Sequence, residues 1–82
     1  MNIFVARLNY DTQENDLQYA FEEFGAVDSV KIIMDKMTGR PKGFGFVEMP
    51  KPGEAKAAVK NLNHTQVGRN MIRVKKAEER AD

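Results

Sequence analysis

Two short stretches of this chain carry apolar residues at positions i, i+3, i+4 and i+7: Leu17, Ala20, Phe21 and Phe24, then Ala55, Ala58, Val59 and Leu62. That spacing stacks the four side chains along one side of an α-helix, so each helix has a single apolar stripe and a polar remainder. The first stretch predicts a helix over 13–24. Thr12 is its expected N-cap, Glu14 and Asp16 bring negative charge to the first turn, and Gly25 is the expected C-terminal stop. The second predicts a helix over about 52–62, opened by Pro52 near its first position. In a chain of 82 residues, two helices with one stripe each can cover only one face of any sheet they pack against. The other face of that sheet stays bare.

The segments around the helices have the spelling of strands. Ile3 to Leu8 is a short apolar run ended by Asn9-Tyr10-Asp11. Val27 to Met34 alternates, with Val30, Ile32 and Met34 on one face and Lys31 and Ile33 on the other. A polar loop with Gly39 and Pro41 leads to a strand over Lys42–Met49, and the last strand is Met71–Lys75. Asn63 to Asn70 is a polar connection with a short extended piece near Val67. The order strand, helix, strand, strand, helix, strand predicts an α+β, ferredoxin-like βαββαβ sandwich. It has a four-stranded antiparallel sheet with both helices on one face. A single domain is expected over 1–76, with a short frayed tail over 77–82.

Parity then sorts the side chains. Ile3, Val5, Val30, Ile32, Val47, Met49, Ile72 and Val74 share the face that meets Leu17, Phe21, Phe24, Ala55, Val59 and Leu62. Phe4, Phe44 and Phe46 have the opposite parity, and no remaining segment is long enough to bury them. Arg7 has core-side parity close to a strand end. Three phenylalanines on an open face among Lys31, Lys42, Arg73 and Lys75 are a binding surface in waiting.

Residues 42–49, Lys-Gly-Phe-Gly-Phe-Val-Glu-Met, resemble the octapeptide of the RNA recognition motif family. That pattern runs basic residue, Gly, aromatic, Gly or Ala, aromatic, aliphatic, any residue, aromatic, and only the final Met49 departs from it. Ile3 to Leu8 resembles the partner hexapeptide of the first strand, and the likeness extends over nearly the whole chain. A single motif ending soon after the fourth strand is most similar to the small bacterial members of the family. The resemblance implies that Phe4 and Phe46 stack bases, that Phe44 packs on sugars or between nucleotides, and that the biological role is post-transcriptional regulation or RNA chaperoning. Two further departures stand out. Arg7 replaces the family's usual Asn, and Gly68-Arg69 comes one residue earlier than usual before the last strand.

The expected RNA-binding residues are therefore Phe4, Phe44 and Phe46, with Lys42, Lys31, Arg73 and Lys75 as phosphate partners. Arg40, with Lys36, lies in a loop that either closes over RNA or is plain solvated charge. Asn2 shares parity with Phe4 and is a candidate to read a base edge. Asn63 and His64 end a helix, where capping is the expected role. The expected partner is single-stranded RNA, with single-stranded DNA as a candidate in vitro, bound by a monomer. The competing reading is a protein–protein interaction module working through its helices, yet the outward positions Gln13, Gln18, Glu22, Lys56 and Lys60 are all polar.

Composition narrows the classes further. A chain with 41% hydrophobic and 30% charged residues reads as soluble and globular, and no apolar run approaches the ~20 residues that span a bilayer. A cytoplasmic location follows as the default. Net charge is only +1, but residues 1–25 sum to −4 and residues 26–82 to +5, so a basic surface is possible on a nearly neutral molecule. With no cysteine and the lone His64, neither a zinc site nor a histidine-based triad can be assembled. Glu48 stands where a dinucleotide loop needs its third glycine. No enzyme activity, metal or cofactor is expected.

Overall fold

The computed structural model describes residues 1–77, so the expected tail lies, from residue 78 onward, outside the described residues. The elements are β1 (Asn2–Ala6), α1 (Glu14–Glu22), β2 (Ser29–Met34), β3 (Pro41–Glu48), α2 (Pro52–Leu62), β4 (Gln66–Val67), β5 (Asn70–Met71) and β6 (Arg73–Lys76). Four strands form a sheet in the order β2-β3-β1-β6, and every neighbouring pair is antiparallel. β4 and β5 make a separate two-stranded ribbon. This is the ferredoxin-like arrangement, with α1 packed over β2 and α2 over β6.

One core lies between the helices and the sheet. Ile3, Val5, Val47, Met49 and Val74 meet Leu17, Phe21, Ala55, Ala58 and Leu62, and all are buried. Each large apolar side chain taken out of water here contributes about 1.5–3 kcal/mol. Of the second stripe, Ala58 is fully buried while Val59 is only partly covered, as are Phe24 and Val30.

Several boundaries differ from the sequence expectation, each for a local reason. The cap of α1 is Gln13, not Thr12. Asn9 builds a turn whose side chain takes the Asp11 N–H (2.9 Å) and whose carbonyl takes the Thr12 N–H (3.0 Å), so the helix starts a residue later and Thr12 is buried. Asp16 reaches back to the Gln13 N–H at 2.8 Å. The helix also stops sooner, at Glu22, because the Phe24 N–H bonds to the Phe21 carbonyl (3.0 Å) and tightens the last turn. Strand β2 begins at Ser29 rather than Val27.

The expected strand over Met71–Lys75 is divided. Met71 pairs with Gln66 in the ribbon, Ile72 exchanges bonds with His64 and Thr65, and only Arg73–Lys76 joins the sheet. The early Gly68-Arg69 forms the two central residues of the β4–β5 hairpin, with Gly68 at φ +65° as such tight loops require.

Met34 shares the parity of Val30 and Ile32, yet it is 49% exposed. Between the pairs Ile32–Gly45 and Met34–Pro41, β2 contributes one residue and β3 contributes three. This bulge sits at Gly43, whose φ is +95°, and beyond it the alternation no longer holds.

Both outer strands have a backbone donor closed off by a side chain. On β2, Glu14 accepts the Ile32 N–H at 3.2 Å. On β6, Asn63 accepts the Val74 N–H at 2.9 Å. Asn63 is also the C-cap residue of α2, and His64 follows it in the left-handed region at φ +66°. The capping role expected for this pair is what the chain shows. Edge strands with filled donors offer less to a second sheet.

Candidate nucleic-acid interface

The sheet face away from the helices is built from two cross-strand rows. In the first, Lys31 of β2 is opposite Phe46 of β3, Phe46 is opposite Phe4 of β1, and Phe4 is opposite Lys75 of β6. Four strands at ~4.8 Å spacing make this row roughly 14 Å long. In the second, Phe44 is opposite Ala6 and Ala6 is opposite Arg73. The aromatics thus occupy the two central strands and the cations the two outer ones.

The three rings touch one another. Phe4 lies 5.7 Å from Phe44 and 5.6 Å from Phe46 between centroids, at 39° and 57°, and Phe44 meets Phe46 edge-on at 6.4 Å and 88°. Tilted and edge-to-face contacts are the favoured geometries of aromatic pairs. Phe46 stands freest, at 36% exposure, while Phe4 and Phe44 are half-buried among their neighbours. Phe4 is also covered from one side, because the Lys75 Nζ sits 5.5 Å from its ring centroid in a cation–π contact. A planar group stacking on Phe4 has to displace Lys75; one stacking on Phe46 does not.

The remaining expected residues are less central. Asn2 lies opposite Glu48, which also faces Ser29, in a row without rings or cations. Lys42 is exposed at the β2–β3 end, past the bulge at Gly43, where parity with Phe44 no longer decides its direction. It is near enough to Asp35 to stabilise that carboxylate. Arg40 and Lys36 are exposed on the loop that joins β2 to β3. Arg7 is exposed and not core-facing. Its backbone is left-handed at φ +61°, which breaks the alternation of β1 one residue past its end. Sequence parity missed it. The signal was the replacement of Asn, a residue tolerant of that conformation, by Arg.

The β2–β3 loop is a built turn. Asp35 accepts the Met37 N–H at 2.8 Å and the Thr38 N–H at 3.3 Å, and its own N–H bonds to the Arg40 carbonyl at 2.7 Å. Those backbone hydrogen bonds, with a smaller attraction from Lys42, hold the Asp35 carboxyl below the ordinary value of 3.8. A carboxylate depressed by folding stabilises the turn above its unfolded pKa, and the effect disappears as pH falls through the folded value. In an NMR pH titration, the Met37 and Thr38 amide shifts should move with a common midpoint below 3.8. A midpoint at or above the ordinary value contradicts this account of the turn.

Comparison with known proteins agrees with this geometry. Residues 3–73 match the family model described as RNA recognition motif. RbpB of the cyanobacterium Nostoc sp., a protein named for RNA binding, is 42% identical over 83 residues, covering 100% of this chain and 80% of the relative. RbpA of Synechocystis sp., named likewise, is 42% identical over 81 residues, covering 98% and 79%. Among solved structures, the RNA-binding protein PG1 superposes with a TM-score of 0.92 at 41% identity, covering 100% of this chain and 99% of that one. A Sex-lethal protein–RNA complex superposes with a TM-score of 0.85 at 32% identity, covering 93% and 47%. With the motif strands, the sheet order and these relatives in agreement, the chain belongs to the RNA recognition motif family.

Proposed function

We propose that this protein binds single-stranded RNA across the open face of its sheet. The observation that carries the reading is the row Lys31, Phe46, Phe4, Lys75, which sets two touching rings between two cations across all four strands. Rings stack on bases whatever their sequence, each stack contributing about 1–3 kcal/mol, and the flanking ammonium groups attract the phosphates on either side. Phe46 is the main platform, Phe4 a second one once Lys75 has moved to a phosphate, and Phe44 packs against the sugar between them. Arg73 extends the basic edge, while Lys42, Arg40 and Lys36 attract the strand as it leaves the sheet at the β2–β3 end. The binding unit is residues 1–76. It acts as a monomer, a reading supported by the filled donors on both outer strands. No helix among the described residues is long and apolar enough to cross a membrane, and we place the protein's work in the cytoplasm.

A sheet face accepts splayed bases but cannot enter the deep, narrow major groove of A-form RNA. Competition between an unpaired RNA and a duplex of the same sequence should therefore favour the unpaired strand by at least an order of magnitude. Equal or stronger duplex binding would overturn the proposal. The role as a helix-mediated protein module has little support, since Gln13, Gln18, Glu22, Lys56 and Lys60 are all exposed and polar.

A further inference from the structure

At the β1–β6 side of the open face lies a pocket of about 310 Å³, which Phe4, Arg7, Asn63, Arg73 and Lys75 line above the small side chain of Ala6. Among the described residues no carboxylate lines it. The grooves on either side of the turn at Asp11 and Thr12 are different: Asp11 and Glu14 line one, and Asp11 and Asp16 line the other beside Arg69. Three basic residues lining one pocket beside an aromatic ring suit an anion held against an apolar wall. Two details of the fold create it. Arg7 reaches this face because its φ of +61° turns it away from the core, and its carbonyl is held there by the Asn70 side-chain amide at 3.2 Å. Asn63 has its Oδ1 engaged by the Val74 N–H at 2.9 Å, which fixes the orientation of the amide and leaves Nδ2 as a donor at the pocket wall.

We infer that this pocket is a nucleotide subsite of the RNA path, in which Arg7 and Arg73 hold a phosphate and the Asn63 amide meets an acceptor on the base edge. The inference rests on the reading of the sheet as an RNA platform. Arg7 is then a specific contributor that this chain has in place of the family's usual Asn. It anchors the nucleotide next along the strand from the one on Phe4. Lys75, displaced from that ring, closes the same phosphate from the opposite side.

The test uses the full chain, a mixed-sequence ten-nucleotide RNA and the variants Arg7→Asn, Arg7→Lys and Asn63→Asp, each titrated over a range of salt. Asn accepts a left-handed backbone more readily than Arg, so Arg7→Asn should melt no lower than the parent. It should nonetheless bind about five- to tenfold more weakly at 50 mM salt, with the slope of log affinity against log salt shallower by a part of the ~0.7 that a whole phosphate contact contributes, since Arg73 and Lys75 stay on that phosphate. Arg7→Lys should keep the parental slope. Asn63→Asp retains the acceptor for Val74 but puts a negative charge on the pocket wall, and should weaken binding at least as much as Arg7→Asn. A parent that binds while Arg7→Asn matches it in affinity and slope overturns the pocket alone. A parent that fails to bind the RNA overturns the platform reading, and the pocket with it.

Discussion

Replacing Phe46 by alanine is expected to weaken binding of single-stranded RNA by about 1–3 kcal/mol, roughly 5- to 150-fold, while the protein stays folded. Phe46 is 36% exposed on the face without helices, so its removal opens no cavity in the core formed by Ile3, Leu17 and Phe21. A ring that belonged to that core would cost about 3–5 kcal/mol of stability on truncation. Denaturant melts and RNA titrations on the same variant separate the two roles. Affinity should fall with little change in the salt slope, because stacking releases few counterions. Unchanged affinity with a lowered midpoint would show that the ring serves packing. Phe4→Ala is a less clean experiment, since Phe4 touches both other rings and Lys75 and its loss disturbs all three.

The second large effect is expected one residue away and on the opposite face. Gly45 is paired with Val5 on one side and Ile32 on the other, in the middle of the sheet. A Cβ there would lie 2.5 Å from the Lys31 carbonyl oxygen and 3.2 Å from the Ile32 Cα. Both are backbone atoms, which no rotamer change can move aside. Gly45→Ala should therefore push β2 away from β3 and lower stability by about 1–3 kcal/mol, the usual cost of overpacking. Because Lys31 rides on the displaced segment, RNA affinity should fall as well, despite an intact set of rings. A melt indistinguishable from the parent's would refute the close approach. Gly43 is glycine for a different reason: its φ of +95° lies where side chains are strained, while the nearest atom to a Cβ there, the Leu8 carbonyl oxygen, is 3.8 Å away.

Glycine in the octapeptide thus has two physical meanings that its spelling does not separate. Gly45 makes room for the backbone of β2, and Gly43 permits the bulge that ends regular pairing. From the sequence both read as strand punctuation. The same bulge explains why Met34 is exposed despite its parity with Ile32, and why Lys42 is not tied to the ring rows, although strict alternation put it beside Phe44.

The residues by themselves determined the two helices, the parity of the strands and the identity of the three rings left without cover. Those features follow from covalent geometry, because 3.6- and 2-residue periods are properties of a segment and need no knowledge of its neighbours. What only the tertiary structure decided are the juxtapositions. Placing β1 and β3 at the centre, with β2 and β6 outside, puts the aromatics in the middle of the face and the cations at its edges. Lys75 over Phe4, Asn63 on Val74 and Glu14 on Ile32 join residues far apart in the chain. The left-handed turn of Arg7 reverses what parity alone implied. Which strands become neighbours, and where the backbone leaves its regular pleat, are settled by hydrogen bonds and packing between distant segments, and those form only when the whole chain has folded.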